Sequence, residues 1–207
     1  MTPSKIGLYV IITKPTLSYK AIAEQCVASG ITMLQLREKH LSDAELLRVA
    51  RDLRAITAGT NTQLVINDRP DIAELCRADF LHLGQDDIPI DDARKIVGDM
   101  KIGLSTHSMQ QAQEAMKHAP AYIGFGPIYP TNAKANPDKP VGTELLKQVL
   151  GVASVPVVAI GGIFPENIHE VVKAGATNVS LVRHFMSATS TSELQLRLSE
   201  IQRKLNP

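Results

Sequence analysis

Residues 157–182 read VVAIGGIFPENIHEVVKAGATNVSLV and contain an apolar run, a helical stretch and a second apolar run. The runs Val157–Gly161 and Asn178–Val182 have the length and β-branched composition of buried strands, and Pro165–Ala174 between them has helical periodicity. A strand, a helix and a second strand in this order form a βαβ unit with parallel strands. The stretch therefore predicts an α/β protein built on a parallel sheet.

The same alternation recurs along the whole chain. The eight predicted strands are Leu8–Thr13, Met33–Arg37, Leu64–Asn67, Phe80–Gly84, Lys101–Ser105, Tyr122–Gly126, Val157–Gly161 and Asn178–Val182. The predicted helices are Ser18–Ala28, Ser42–Ile56, Asp71–Cys76, Ile90–Val97, Ser108–Lys117, Gly142–Gly151, Pro165–Ala174 and Ser192–Leu205. Eight strands with eight helices predict a single-domain (β/α)8 TIM barrel over residues 1–207. An open doubly wound sheet is the alternative, because the sequence does not show closure.

Composition excludes several classes of protein. With 207 residues and 44% hydrophobic content the chain can bury a sizeable core, so it is not a disordered tail, a fibre or a small disulfide scaffold. A net charge of +1 is too small for the basic surface of a nucleic-acid binder. The run Leu8–Ile12 is too short to span a membrane, and no export signal precedes it. Two isolated cysteines, Cys26 and Cys76, fit a reducing compartment, so we expect a soluble, cytoplasmic protein.

Polar residues follow the predicted strands at the end of the barrel where active sites form. Asp68 and Asp87 follow neighbouring strands, and a pair of carboxylates suits Mg²⁺, which keeps waters and substrate phosphates as further ligands. The alternative is that each aspartate caps the helix that follows it. The sequence favours a magnesium site because cations stand at the neighbouring strand ends.

Three of those cations suit a diphosphate. Arg37, Lys39 and Lys134 could neutralise its charge, and Ser105 could donate a hydroxyl. For Lys39 and its neighbour Glu38, a solvated charged loop is the ordinary alternative. These residues predict a site for a phosphorylated ligand.

Three further features of the sequence lie at or next to the strand ends. Gly161 and Gly162 would let backbone N–H groups approach a phosphate, although a tight strand-to-helix turn explains them equally well. His82 is expected to be a barrel-interior histidine with satisfied hydrogen bonds, and His107 remains a candidate in a supporting position. The Pro- and Asn-rich segment Pro127–Val141 is long enough to be a functional lid.

The motifs at these strand ends resemble those of the thiamine phosphate synthase (thiamine-phosphate pyrophosphorylase) family. They are QLREK at 35–39, INDR at 66–69, HLGQDD at 82–87, STH at 105–107, GPIYPT at 126–131 and AIGGI at 159–163, in the family's order. The resemblance implies a (β/α)8 barrel that joins 4-amino-2-methyl-5-pyrimidinylmethyl diphosphate to 4-methyl-5-thiazolylethyl phosphate with Mg²⁺. The products would be thiamine phosphate and diphosphate, formed through a pyrimidine-stabilised methylene cation.

The resemblance also implies roles for individual residues. The pyrimidine diphosphate would be bound by Gln35, Leu36, Arg37, Glu38, Lys39, Asn67, Ser105 and Lys134. The thiazole phosphate would be contacted by Thr131, Asn132, Ala133, Gly162, Val182 and Arg183, and Mg²⁺ would be held by Asp68 and Asp87. Arg37, Lys39 and Lys134 would stabilise departure of the diphosphate and so act in catalysis.

Two positions depart from the family pattern, both at the thiazole-phosphate end. The loop has Ala133 where the family usually has Thr, and Arg183 follows Val182 where the family usually has Ser. The alternatives are therefore a diverged isomerase related to thiazole tautomerases and a non-catalytic ligand-binding or regulatory relative. The retained aspartates and cations favour the transferase. The expected partners are small-molecule substrates, with no nucleic acid and no membrane, and the sequence leaves the oligomeric state open, a homo-oligomer included.

Overall fold

A computed structural model describes residues 6–131 and 138–205, in which strands and helices alternate. The strands are β1 (Leu8–Ile12), β2 (Met33–Leu36), β3 (Gln63–Asn67), β4 (Phe80–Leu83), β5 (Lys101–Thr106), β6 (Tyr122–Phe125), β7 (Val157–Ile160) and β8 (Val179–Leu181). The helices are α1 (Tyr19–Ala28), α2 (Asp43–Thr57), α3 (Pro70–Cys76), α4 (Ile90–Val97), α5 (Met109–Lys117), α6 (Gly142–Val152), α7 (Ile168–Lys173), α8 (Arg183–Met186) and α9 (Thr191–Leu205).

The strands form one closed parallel barrel in sequence order, and β1 pairs with β8 to complete it. Closure distinguishes this fold from the open doubly wound sheet, in which the first and last strands do not pair. The predicted (β/α)8 barrel is confirmed, and each predicted strand overlaps an observed one.

The barrel has two cores because side chains of a strand alternate between its faces. The inner core fills the barrel and includes Tyr9, Met33, Phe80 and Tyr122. The outer core lies between the strands and the surrounding helices, and it includes strand residues of the opposite parity such as Leu34. Side chains at alternate positions of a strand therefore point into the barrel, and those between them pack against the helices.

Several helices begin where the sequence predicts. Ser18, Ser42 and Ser108 each accept a hydrogen bond from a backbone N–H in the first turn, and Glu45 completes a capping box with Ser42. Pro70 occupies the first turn of α3, where its missing N–H costs nothing. In the described ranges no helix has both the length and the apolar composition required to cross a membrane.

Two helices after β7 and β8 differ from the prediction. The predicted helix Pro165–Ala174 begins three residues later, because the side chain of Asn167 binds the backbone of Phe164 and Gly162 and holds this segment in a turn. The four-residue helix α8 follows β8 directly and was not predicted. It is too short to show a helical repeat of apolar residues.

Ile6 and Gly7, which precede β1, meet the end of α9 at the amino-terminal end of the barrel. Ile6, Gly7, Gln202 and Leu205 line one crevice there. The side chain of Asn178 accepts hydrogen bonds from the N–H groups of Ile6 and Gly7, each at 2.9 Å. This crevice lies at the end of the barrel opposite the strand ends that carry the predicted site residues.

Candidate active site

A cavity opens at the carboxyl ends of the strands, and we call it the central cavity. The predicted site residues that line it are Arg37, Ser105, Thr131, Gly162, Val182 and Arg183. A second recess shares Arg37, Val182 and Arg183 with the central cavity and adds Lys39. The fold thus brings together predicted residues from both substrate groups.

The motif at 35–39 divides its side chains between the two faces of β2. Gln35 lies in the barrel interior and Arg37 lines the central cavity. Leu36 between them belongs to the outer core, so its side chain does not reach the cavity. A run of adjacent motif residues cannot all face one site when their backbone is extended.

The Glu38 side chain binds the loop between β1 and α1 and the start of α1. Its carboxylate accepts hydrogen bonds from the N–H of Lys14 at 2.6 Å and from the hydroxyl of Tyr19 at 3.0 Å. The Tyr19 pKa is raised to about 12 by burial and by Glu38. The Glu38 side chain therefore holds the β1–α1 loop in place beside Arg37.

Asp68, Asp87 and Lys39 form a charged cluster beside Asn67, the last residue of β3. The Lys39 Nζ lies 2.8 Å from Asp68 Oδ2, and the Asp68 and Asp87 carboxyl groups are within hydrogen-bonding distance of each other. Asp68 has φ of 63°, a left-handed conformation that places its side chain toward Lys39 and Asp87. Asp87 Oδ2 also accepts the Gly84 N–H at 2.6 Å.

The two carboxyl groups have opposite pKa shifts. Burial and the hydrogen bond to Asp68 raise the pKa of Asp87 to about 6. Burial also acts to raise the pKa of Asp68, but the hydrogen bonds with Asp87 and Lys39 outweigh it and hold that pKa below its usual range. Even with Lys39 beside it, the pair therefore resists carrying two negative charges unless a further cation joins it.

The proposal that these aspartates cap helices is wrong. Helix α3 has Arg69 at its N-cap and α4 has Pro89, and neither helix has a side-chain cap hydrogen bond. In the described part of the chain no third His, Cys, Asp or Glu joins the pair in a metal-binding group. Two adjacent carboxylates fit Mg²⁺, which is commonly held by one or two carboxylates with waters and phosphates.

Gly161 and Gly162 are required by the packing of the loop after β6. Both have positive φ, and a Cβ on Gly162 would lie 2.7 Å from the Pro130 carbonyl oxygen and from Tyr129. The Tyr129 N–H donates to the Gly161 carbonyl oxygen at 3.0 Å. Close approach of this loop accounts for the glycine pair, and Gly162 still faces the central cavity.

Arg183 is the first residue of α8 and lies at the edge of both recesses. Its guanidinium carbon is 5.2 Å from the centre of the Phe164 ring, a cation–π distance. Phe164 follows Gly162 by two residues and lines the same cavity. The stacking holds the arginine at the cavity that Gly162 also lines.

Sequence reasoning missed the partner of His107. Nδ1 of His107 lies 2.5 Å from the Gly126 carbonyl oxygen, and Nε2 lies 3.5 Å from Asp138 Oδ2. Both residues line the central cavity. Asp138 is the only acidic residue in the segment 127–141, a signal that could have identified it.

His82 has hydrogen-bonding partners on both ring nitrogens, as predicted. Nδ1 lies 2.9 Å from the Tyr122 hydroxyl, and Nε2 lies 2.9 Å from the Ser105 hydroxyl. The predicted residues Asn132, Ala133 and Lys134 lie outside the described residues.

Comparison with known proteins gives one consistent family. A family model described as thiamine monophosphate synthase matches residues 8–185. The thiamine-phosphate synthase of Lawsonia intracellularis is 40% identical over 199 residues, covering 94% of this chain and 90% of the relative. That of Halalkalibacterium halodurans is 42% identical over 175 residues, covering 84% and 83%.

Solved structures agree with this result. Thiamine phosphate pyrophosphorylase from Pyrococcus furiosus superposes with a TM-score of 0.81 at 32% identity, covering 95% of this chain and 96% of that one. A 3-hexulose-6-phosphate synthase superposes with a TM-score of 0.68 at 19% identity, covering 96% and 99%, which is a likeness of fold alone.

Proposed function

The chain belongs to the thiamine monophosphate synthase family, and we propose that it is a transferase that joins a pyrimidine diphosphate to a thiazole phosphate. The substrates are 4-amino-2-methyl-5-pyrimidinylmethyl diphosphate and 4-methyl-5-thiazolylethyl phosphate. The products are thiamine phosphate and diphosphate. This is a condensation step of thiamine biosynthesis.

One observation carries the assignment of the site. Arg37, Ser105, Gly162 and Arg183 line the same cavity. The cavity therefore has donors for an anionic group near β2 and β5 and further donors near β7 and β8. Two phosphorylated substrates that react with each other need such an arrangement.

The chemistry requires stabilisation of a leaving group and no protein nucleophile. Breaking the carbon–oxygen bond of the pyrimidine substrate leaves its electron pair on the diphosphate, and the thiazole nitrogen then forms the new carbon–nitrogen bond. Arg37, Lys39 and Lys134 supply positive charge to the departing diphosphate, and Ser105 donates a hydrogen bond to it. Gly162 and Arg183 hold the phosphate of the second substrate.

Asp68 and Asp87 would hold Mg²⁺, which supplies positive charge to a diphosphate when bound. Their mutual hydrogen bond and the raised pKa of Asp87 support this, because a cation relieves the repulsion between two adjacent carboxylates. Lys39 bonds to Asp68 and so stays beside the pair. The Pro127–Val141 segment would exclude water from the reacting carbon.

The cellular compartment and the oligomeric state of the protein stay predictions. Both cysteines, Cys26 and Cys76, are buried free thiols, which agrees with a reducing, cytoplasmic compartment. The homo-oligomer remains a sequence-based expectation.

Diphosphate release on mixing both substrates with the folded protein tests the proposal. We expect release that requires both substrates and Mg²⁺ and that stops when the metal is chelated. Reactions lacking one substrate serve as controls. Isomerisation of the thiazole without diphosphate release would indicate the tautomerase-like alternative, and no reaction by a folded sample would overturn the transferase.

A further inference from the structure

We infer that five side chains inside the barrel form a one-way hydrogen-bond relay that fixes Ser105 as a hydrogen donor to the substrate. The relay runs from Gln35 through Tyr9, Tyr122 and His82 to Ser105. This inference rests on the proposed function for the identity of the ligand, since Ser105 and Gln35 are both placed at the pyrimidine diphosphate. Tyr9, Tyr122 and His82 would be positioning residues that act through Ser105.

The contacts are continuous and short. Gln35 Nε2 donates to the Tyr9 hydroxyl at 2.8 Å, and the Tyr9 and Tyr122 hydroxyls are 2.8 Å apart. His82 bridges the Tyr122 and Ser105 hydroxyls, each at 2.9 Å. The His82 ring also stacks on Tyr122, with a 5.6 Å separation of the ring centres.

Burial makes the relay rigid and costly to break. Gln35 is 1% exposed, Tyr9 2%, Tyr122 0% and His82 9%. Burial raises the pKa of Tyr9 and of Tyr122 above the ordinary phenol value, so both keep their protons. A buried hydroxyl that loses its partner loses the full benefit of that bond, because water does not replace it.

Counting protons gives the relay a direction. A tyrosine hydroxyl has one hydrogen to donate. Tyr9 accepts from Gln35, and the Tyr122 hydroxyl is the acceptor within reach of the buried Tyr9 hydrogen, so we assign that hydrogen to Tyr122. The hydrogen of Tyr122 then goes to His82 Nδ1. Nδ1 is then the acceptor, so a neutral imidazole carries its hydrogen on Nε2 and donates it to the Ser105 oxygen.

This direction determines which groups Ser105 and Gln35, the two ends of the relay, present to a ligand. Ser105 already accepts from His82, and its own hydrogen is left to point into the central cavity that it lines. Gln35 gives one amide hydrogen to Tyr9, which orients the amide and leaves its carbonyl oxygen and its second amide hydrogen for a ligand. The site then offers a donor to a diphosphate oxygen and an acceptor to the amino group of an aminopyrimidine.

The reverse direction does not suit an anionic ligand. There the Ser105 hydrogen would be donated to His82 Nε2, and only oxygen lone pairs would face the diphosphate. Lone pairs opposite a negatively charged leaving group repel it. The orientation of the buried Gln35 amide therefore decides whether the Ser105 hydroxyl presents its hydrogen or its lone pairs to the ligand.

Nitrogen NMR of the labelled protein without ligands tests the direction. The chain has six histidines, and comparison with His82→Gln identifies the signals of His82. We expect His82 to show an unprotonated Nδ1 and a protonated Nε2. A proton on Nδ1 would overturn the relay, whatever the activity of the protein.

A double-mutant cycle tests whether the relay acts through Ser105. Tyr122→Phe keeps the ring and removes the hydroxyl, and we expect it to lower kcat about tenfold with little change in KM. In a Ser105→Ala background the same substitution should change kcat by less than about twofold, because its target is gone. Equal losses in both backgrounds would overturn the relay. Tyr9→Phe provides a second variant if Tyr122→Phe does not fold.

Thr62→Val is the matched control. Thr62 is 2% exposed and donates to the Ile31 carbonyl oxygen at 2.6 Å, in the turn that precedes β3 at the opposite end of the barrel. Its loss should lower stability and leave kcat unchanged. A parent protein with the expected His82 tautomer but no condensation activity would overturn the proposed function and leave the relay in place.

Discussion

At the scale of single residues, Asp87 should destabilise the protein when no cation is bound. Its pKa is raised to about 6, so the folded state resists its ionisation. The cost is absent below the ordinary carboxylate pKa and is fully present above about pH 6. Asp87→Asn should therefore raise the free energy of unfolding by about 1 kcal/mol near neutral pH in a chelator, after discounting for partial exposure. Denaturant unfolding at acidic and neutral pH measures this.

Asp68→Asn is the matched partner of that variant. The pKa of Asp68 is lowered, so its ionised form stabilises the fold above the ordinary carboxylate pKa, and its loss should destabilise the protein modestly. We expect Mg²⁺ to raise the Tm of the parent, and neither variant should show that rise. Both variants should also lose Mg²⁺-dependent turnover. Normal turnover of both at saturating Mg²⁺ would contradict the metal site.

Arg183 tests the phosphate site of the second substrate. Arg183→Ala should raise KM for the thiazole phosphate about tenfold or more, because a charged hydrogen bond to phosphate is lost, and Mg²⁺ dependence should not change. Arg203→Ala, on the exposed side of α9, is a control of equal charge. Improved activity of Arg183→Ala would mean that the arginine obstructs the cavity, and unchanged kinetics would leave it as a surface residue.

At the scale of elements, the turn after β7 and the loop after β6 hold each other in place. Gly162→Ala should cost about 2 kcal/mol or more, because its φ is 66° and its new Cβ would meet Tyr129 and Pro130. Gly151→Ala, near the end of α6 with open space around it, should instead be neutral or stabilising by up to about 1 kcal/mol. Thermal unfolding and KM values of both variants check this pair. An equal loss of stability in Gly162→Ala and Gly151→Ala would contradict the packing argument.

The elements predicted from the sequence are those with a strong local pattern. Each strand is an apolar run between turn residues, so the sequence predicts all eight. Helix α8 was missed because four residues give no period, and α7 was placed too early because the Asn167 bonds depend on the fold. Local signals identify elements, whereas tertiary contacts set their ends.

The sequence predicts those parts of the candidate site whose residues directly follow neighbouring strands. Asp68, Asp87 and Lys39 meet because their strands are neighbours in the barrel. Asp138 was missed since its partner, His107, lies 31 positions earlier in the chain and on another loop. The relay through Tyr9 and Tyr122 was also beyond the sequence, because these tyrosines look like ordinary apolar strand residues.

At the scale of the whole molecule, all strands belong to one closed sheet, so the barrel should unfold as a unit. Leu198 in α9 is fully buried in the outer core and is not among the residues that line the central cavity. Leu198→Ala should cost about 3 kcal/mol and lower Tm by roughly 6–12 °C. Leu196→Ala, at a position 72% exposed, should change Tm by no more than about 2 °C. Circular dichroism and residual activity should follow the same curve, and separate transitions would contradict unfolding as a unit.

The crevice shared by Ile6 and Leu205 has a consequence for engineering. A short peptide bridge there could join Ile6 to Leu205 without crossing the mouth of the central cavity. A circular permutant could then be opened at the α4–β5 turn around Gly98, whose Cα faces open space. Chain order would change while every strand kept its neighbours, since a closed ring of strands has no intrinsic first member.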